Sequence, residues 1–350
     1  MIGIKLSIII PVLNDAVVLE RLIGDIERQS LKDLEIIVAD GGSRDDSLAL
    51  ARRKGWCVVS SPPGRGVQMN AAVAVARGEQ WLFLHADSRL PDPRFLEEAC
   101  DFMTRQLALE PRSAGHWAIE FVDIVVQQGR MWRFWQEKSR LDRHECIHGD
   151  QGLWITPSFF RETGGFDTTH PFLEERRLAR EVARLGRWIL LPGRLGTSSR
   201  RFIAEGVWRR AILNALIMIA WEVDHHGFLE GSPGLYREQG RTGRLALEMF
   251  FRLWTASETG RTYRQRWWRW CAVGAVLRRS VWQIFLLLDV MRRGRGGRED
   301  FVFLSFFQRR IEPVLPWLLP EVFAGVCAWF MFHVLRLGFL TIGNDRRKND

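Results

Sequence analysis

An α/β fold is what this 350-residue sequence predicts: a doubly wound, mostly parallel sheet followed by a helical appendage. Three observations predict it. Strand and helix patterns alternate through about the first two hundred residues, which calls for right-handed crossovers between parallel strands. Residues 7–13 form a continuous apolar run, as in a strand buried on both faces. Past about Gly206 strand signals fade, and long Arg- and Trp-rich helical stretches take over. The expected domains are 1–205 and 206–350.

The elements follow in order. The first strand at 7–13 leads to a helix at 17–29, with Leu19, Leu22, Ile23 and Ile26 on one side. A second strand at 35–40 stops at Gly41-Gly42-Ser43. A helix at 45–54 opens on Ser43 as cap and the acidic pair Asp45-Asp46 as first turn. A third strand spans 57–60, an Ala-rich helix 66–76 ends at Gly78, and a fourth strand spans 81–84. A strand at 114–121 is followed by an aromatic, basic helix at 125–141. Further on come a short strand at 152–156, a segment 160–166 ending in Gly164-Gly165, a helix at 174–185 and a last strand at 188–191. No internal repeat of fixed period is present.

Composition bounds the function. With 47% hydrophobic and 26% charged residues, the chain is one that folds and not a disordered one. The net charge of +9, mostly from Arg, favours anionic partners such as nucleotides, nucleic acid or acidic lipid. No nucleic-acid-binding fold accompanies the basic residues, so a nucleic-acid surface is not expected. The five cysteines form no CxxC pair and read as thiols in a reducing compartment. The N-terminal apolar run is too short for a signal peptide, and a cytoplasmic location is expected.

In doubly wound sheets ligands sit beyond the carboxyl ends of the strands. Asn14, Asp40 and Asp87 all fall there. Asp87, just past His85, is either a carboxylate holding a divalent cation against diphosphate oxygens or a cap of the following turn. Asp40 either accepts hydrogen bonds from a nucleoside or is a turn residue ahead of two glycines. Gly64-Arg65-Gly66, with Gln68 and Asn70, stands before and within a helix, a place suited to phosphate. Glu174 and Glu175 are an acidic first helical turn or supply a general base for an acceptor hydroxyl. His144 and His148, near Asp150, are either part of a metal cluster or, the favoured reading for two histidines in a polar loop, surface or hydrogen-bonding residues. Walker and GxGxxG patterns are missing, which argues against a P-loop NTPase or an NAD-dependent dehydrogenase.

Taken together, the stretches "LSIIIPVLND", "EIIVADGGSRDDSLALA", "GRGVQMNAAVAVARGEQWLFLHADSRLP", "GDQGLWI" and "GGFD" resemble the family-2 glycosyltransferases of GT-A fold. "GRGVQMN", "LHADSRLP" and "GDQG" look most like a bacterial subgroup named for arsenosugar biosynthesis. The resemblance covers about Lys5 to Arg201. It implies a sugar transferred from a nucleoside diphosphate, of UDP type, to an acceptor it does not identify. Pro11, Asn14 and Asp40 would border the base and ribose. Asp87 would be the acidic member of a metal-binding DxD-like motif, with His85 at its first position, holding Mg2+ or Mn2+. Arg65, Gln68 and Asn70 would lie by the diphosphate, and Asp150 and Gln151 would face the donor sugar or acceptor. Glu175 would stand where the family has the catalytic Asp of a Glu-Asp pair. There the chain departs from the pattern, since "FLEERRLARE" puts Glu where Asp is usual. A carboxylate misplaced by about 1 Å can lose on the order of a hundredfold in rate, so Glu174 stays a second candidate for the base. The implied chemistry is inverting, direct displacement.

Beyond the resemblance, residues 261–290 set Trp and Arg beside apolar residues, a composition suited to the membrane interface and anionic headgroups. Residues 322–340 are apolar but interrupted by His333 and Arg336. In-plane helices lying on the inner face of the cytoplasmic membrane are the favoured expectation, ahead of a soluble helical cap or true spans. Two other functions stay open: a non-catalytic nucleotide-sugar-binding or membrane scaffold protein, and a sugar nucleotidyltransferase. The second would want a Gly-rich loop after the first strand, which Pro11-Val12-Leu13-Asn14 lacks.

Overall fold

The computed structural model describes residues 5–122, 129–170, 172–239, 244–292 and 300–346. It divides into two compact units, Met1–Ser199 and Arg200–Asp350. The division expected at 205/206 falls a few residues later, in the second unit.

The first unit carries β1 (Leu6–Val12), α1 (Ala16–Glu27), β2 (Leu34–Asp40), α2 (Ser47–Arg53), β3 (Cys57–Ser60), α3 (Arg65–Ala72), β4 (Gln80–Phe83) and α4 (Phe95–Leu109). It continues with β5 (Ser113–Phe121), α5 (Arg130–Lys138), β6 (Leu153–Ile155), α6 (Pro157–Glu162), α7 (Glu174–Leu185) and β7 (Arg187–Thr197). The strands form one seven-stranded sheet in the order β3-β2-β1-β4-β6-β5-β7. β1 pairs in parallel with both β2 and β4. β6 is antiparallel to β4 and β5, while β5 and β7 are parallel. The α/β class and the mostly parallel sheet are therefore those read from the sequence, with β6 the one reversed strand.

The apolar run of β1 shows why. Ile8 and Ile10 enter the core on one face, with Leu19, Leu22, Val38 and Leu96. Ile9 enters the other, with Ile37, Met69, Phe83 and Leu178. All three isoleucines are fully buried, and each such side chain contributes about 1.5–3 kcal/mol of transfer free energy. Two of the buried indoles, Trp154 and Trp117, also find acceptors. Trp154 donates to Gln80 Oε1 at 2.6 Å, and Trp117 donates to the Pro192 carbonyl at 3.0 Å.

Three differences from the sequence reading stand out. Helix α4 was not expected, although Phe95, Leu96, Ala99, Cys100 and Met103 line its buried side with helical spacing. The last strand is longer than expected, because β5 supplies partners along it on both sides of an irregularity between His116 and Ala118. Of the helix expected at 125–141, only Arg130–Lys138 is helical; residues 123–128 lie outside the described residues.

The second unit holds helices: α8 (Arg200–Glu205), α9 (Val207–Glu222), α10 (His226–Gln239), α11 (Leu247–Ala256), α12 (Tyr263–Arg279), α13 (Trp282–Arg292), α14 (Val302–Phe306), a π-helical turn at Phe307–Ile311, α15 (Leu315–Leu318) and α16 (Glu321–Arg346). Thr262 and Gln265 close a reciprocal capping box at the start of α12. Its core includes Phe228, Phe250, Phe251, Trp254 and Trp282.

Candidate active site

Two groups of predicted residues lie at the carboxyl ends of the parallel strands. The first surrounds β1 and β2. Asn14 follows β1 with φ at 55°, a left-handed conformation that Asn tolerates. Its Oδ1 accepts from the Arg44 backbone N–H at 2.8 Å, and its own N–H donates to Ser43 Oγ at 3.0 Å. Asp40 is buried and accepts from the backbone N–H groups of Gly42 at 2.9 Å and Ser43 at 3.1 Å. Pro11 is buried within β1. Gln68, also buried, reaches from α3 to donate to the Val12 carbonyl at 2.8 Å and the Ala39 carbonyl at 2.7 Å. This one amide therefore straps together the ends of the two strands that carry Asn14 and Asp40.

Asp45 does something the sequence reading did not foresee. Its Oδ2 accepts from the Ala16 N–H at 2.9 Å, so it satisfies the N-terminus of α1, while Oδ1 accepts from Ser47 at 3.1 Å. Asp46, not Ser43, stands at the N-cap of α2.

The second group is charged. Arg65, the first residue of α3, places Nε 2.8 Å from Glu174 Oε1, an ion pair whose carboxylate is only 4% exposed. Arg65 also lies 3.4 Å from His85 Nε2 and feels the charges of Glu175, Asp87 and Asp150. His148 Nδ1 is 3.8 Å from Glu175 Oε1, an ion-pair separation longer than a hydrogen bond. Arg65, His85, Asp87, His148, Asp150, Glu174 and Glu175 thus gather from α3, the loop after β4, the turn before β6 and the start of α7. His148 is the member that the sequence reading set aside. Its position two residues before Asp150, in a segment already suspected, was the available signal.

Local packing explains the convergence. Gly66 admits α7 closely: a Cβ there would lie 2.8 Å from the Asp167 carbonyl oxygen and 3.0 Å from Glu174 Cβ. Gly149 does the same for His85, whose Nε2 would sit 2.6 Å from an added Cβ. Asn70 braces the "GGFD" loop from both sides, donating to the Phe166 carbonyl at 2.9 Å and accepting from its N–H at 3.2 Å. Gln151 is buried and donates to the Cys146 carbonyl at 2.6 Å, which fixes the turn that presents Asp150. Leu173, with φ at 61°, starts α7 from the left-handed region at a cost of order 1 kcal/mol. The loop after Asp87 is held by buried Asp25, which pairs with Arg89 and accepts from the Leu90 N–H at 3.2 Å.

The carboxyls are driven apart electrostatically. Burial, aided by the Glu175 charge, pushes Glu174 up to about 7 against the pull of Arg65. Burial alone would also raise Glu175, but His148 and Arg65 outweigh it and bring Glu175 down to about 2. Burial and the neighbouring Glu175 and Asp87 raise Asp150, opposed by His148. Acid–base sites commonly hold carboxyls whose environments separate them in this way. Behind the cluster is a cavity of about 20 Å³, lined by His85, His148, Glu174, Glu175 and the apolar Phe83 and Phe166. It has room for about a single water.

Among the described residues no three His, Cys, Asp or Glu side chains form a preformed metal cage. The donor set fits a hard cation nonetheless. Such an ion is commonly held by one or two carboxylates, with substrate phosphates and water completing the shell, and Asp87 is a half-exposed carboxylate at the cluster's edge.

Residues 7–109 match the family described as Glycosyl transferase family 2. Over 104 residues the chain is 36% identical to a PGL/p-HBAD biosynthesis glycosyltransferase of Mycobacterium bovis, covering 28% of this chain and 41% of that one. Over 191 residues it is 31% identical to an uncharacterized protein of Mycobacterium tuberculosis, covering 47% of this chain and 57% of the other. The chain thus spans less than two thirds of either relative's length. Among solved structures it is similar to Staphylococcus aureus TarS 1-349 in complex with UDP-GlcNAc. There the identity is 12%, the coverage 95% of this chain and 92% of that chain, and the TM-score 0.49.

Proposed function

We propose that this chain, whose residues 7–109 are a family-2 glycosyltransferase segment, transfers a sugar from a nucleoside-diphosphate donor to an acceptor hydroxyl with inversion. The observation that carries the reading is the gathering of Arg65, Asp87, Asp150, Glu174 and Glu175 at the carboxyl end of a parallel sheet.

In this reading Glu175 is the base. It is ionised at neutral pH and 14% exposed, whereas Glu174 is 4% exposed and held against Arg65. Glu175 takes the proton of the acceptor hydroxyl as that oxygen bonds to the anomeric carbon and the bond to the diphosphate oxygen breaks. Glu174 fixes the Arg65 guanidinium, a permanent positive charge placed for the leaving diphosphate. Asp87, with His85 beside it, would hold the divalent cation, Mg2+ or Mn2+. That ion supplies further neutralisation of the diphosphate when bound. Asn14, Asp40 and Pro11 line the strand ends where a UDP-type nucleoside would sit. Gln68 and Asn70 act on the donor site through the strands and loop they brace. Asp150 and Gln151 belong to the turn facing the donor sugar or acceptor. The three stretches named above support a place near the arsenosugar-named subgroup. The helical 206–350 region is assigned to an anionic membrane surface on the cytoplasmic side.

Donor hydrolysis with UDP-sugars and GDP-sugars, with Mn2+ or Mg2+, tests the reading on wild type, Asp87→Ala and Glu175→Gln. Turnover by the wild type that falls at least a hundredfold in either variant is expected. Binding of nucleotide sugar without turnover of any donor would move the chain to the scaffold reading.

A further inference from the structure

The outer surface of α16 is unlike that of a helix facing water. Every exposed side chain from Val322 to Leu337 is apolar, and they include Phe323, Val326, Trp329, Phe330 and Val334. At about 100° per residue these positions sweep roughly 200° of the helix circumference. The inward stripe, Ala324, Gly325, Ala328 and Phe332, packs on α12 and α11. The contact with α12 is close: a Cβ on Gly274 would lie 2.3 Å from the backbone of Ala324. His333, which interrupts the apolar run in the sequence, is half-buried and packs against the rings of Trp329 and Trp270.

α12 and α16 run antiparallel. Arg278, near the end of α12, donates to the Leu319 carbonyl at 2.8 Å, just ahead of α16, while Trp270 packs on Phe332 farther along it. The start of α12 therefore lies at the far end of α16. An open cavity of about 580 Å³ is found there, lined by Arg261, Arg264, Arg269, Gln265 and Trp268. Glu258 pairs with Arg261 and Arg269, and the Asp224 charge also reaches Arg269, which leaves Arg261, Arg264 and Arg269 in excess and the cavity cationic. At the opposite end, exposed Arg309 and Arg310 precede Trp317, which is 86% exposed.

We infer that α16 is embedded in the hydrocarbon of a bilayer rather than lying in its plane, with the α12 cavity taking the phosphate of an anionic phospholipid headgroup. Three observations select a bilayer over a second copy of the chain. The apolar arc is wider than one partner helix covers. The Glu321–Phe339 stretch of 19 residues is about 28 Å long, close to the hydrocarbon thickness of about 30 Å. Arginine and tryptophan stand at both ends, where headgroups and the interface would be. The inference concerns the second unit alone and holds whether or not the first unit transfers sugar.

The native thiol Cys327 is exposed on α16, and the other exposed thiol is Cys57. The full chain carrying Cys57→Ser, with an environment-sensitive fluorophore on Cys327, is mixed with vesicles of phosphatidylcholine alone or with one third phosphatidylglycerol. A blue shift with both, and tighter binding to the anionic vesicles, is expected. Joint Arg261→Gln and Arg264→Gln substitution should lower affinity for the anionic vesicles about 25-fold, near fivefold per arginine, and leave the neutral vesicles unchanged. Phe330→Glu, at an exposed position, should weaken both at least tenfold. No shift with either vesicle overturns the inference, as does a shift that grows with protein concentration in their absence, which marks a second copy as the occupant. An arginine effect equal on both vesicle types, or reproduced by inorganic phosphate as competitor, overturns the headgroup assignment.

Discussion

Replacing Arg65 by Met should cost stability in a way that depends on pH, and the structure sets the amount. In the wild type Arg65 Nε lies 2.8 Å from the buried Glu174 carboxylate, whose pKa burial has already pushed up to about 7. A carboxyl raised above its unfolded value binds its proton more tightly in the native state. Its contribution to stability is therefore full below the unfolded value and is lost as pH climbs through the window up to the folded pKa. In the wild type that loss ends near 7, because Glu174 then ionises against Arg65. Without Arg65 the carboxyl holds its proton higher, and the loss continues. One further pKa unit is worth about 1.4 kcal/mol. At pH 8 the variant should therefore be about 1.4 kcal/mol worse, relative to wild type, than it is at pH 5, where Glu174 is protonated in both proteins. Glu175 also loses the pull of Arg65, but it is ionised at both pH values and so adds a constant penalty. Urea unfolding followed by tryptophan fluorescence at pH 5 and pH 8 reads the difference. Equal penalties at the two pH values, or a larger one at pH 5, would refute the electrostatic account of this cluster.

Gln68→Ala removes two hydrogen bonds to strand-end carbonyls, of which Val12 keeps the Gly41 N–H, so a loss of about 2 kcal/mol in urea unfolding, about 1 per bond, is expected. Weaker nucleotide binding in calorimetry should accompany it. Asp25→Ala removes the acceptor of the partly exposed Arg89 and of the buried Leu90 N–H and should destabilise by about 2 kcal/mol, seen as a lower thermal midpoint. His148→Ala removes an influence that holds Glu175 low, so the acid limb of the pH–rate profile should move to higher pH. Gly149→Ala drives a methyl into the His85 ring and should lower kcat with little change in helix content by circular dichroism.

Much of this protein could be read from the chain itself. The apolar runs of β1 and β2 and the intervening periodic helix fixed alternation, and alternation with right-handed crossovers fixes a parallel sheet. The rule that ligands lie beyond strand carboxyl ends then marked Asn14, Asp40 and Asp87 without any contact being known. Patterns of period 2 and 3.6 are local, so they survive in the sequence. Tertiary structure alone decided what those residues do to one another. The sequence cannot show that β6 runs against its neighbours, because a three-residue strand carries no direction. Nor can it show that Gln68 spans Val12 and Ala39, that Asp45 serves the helix before it, or that His148 lies beside Glu175. The opposite shifts of Glu174 and Glu175, adjacent in the chain, are of the same kind. One turns inward to Arg65 and the other toward His148, and charge and burial depend on neighbours in space, which no spacing along the chain records.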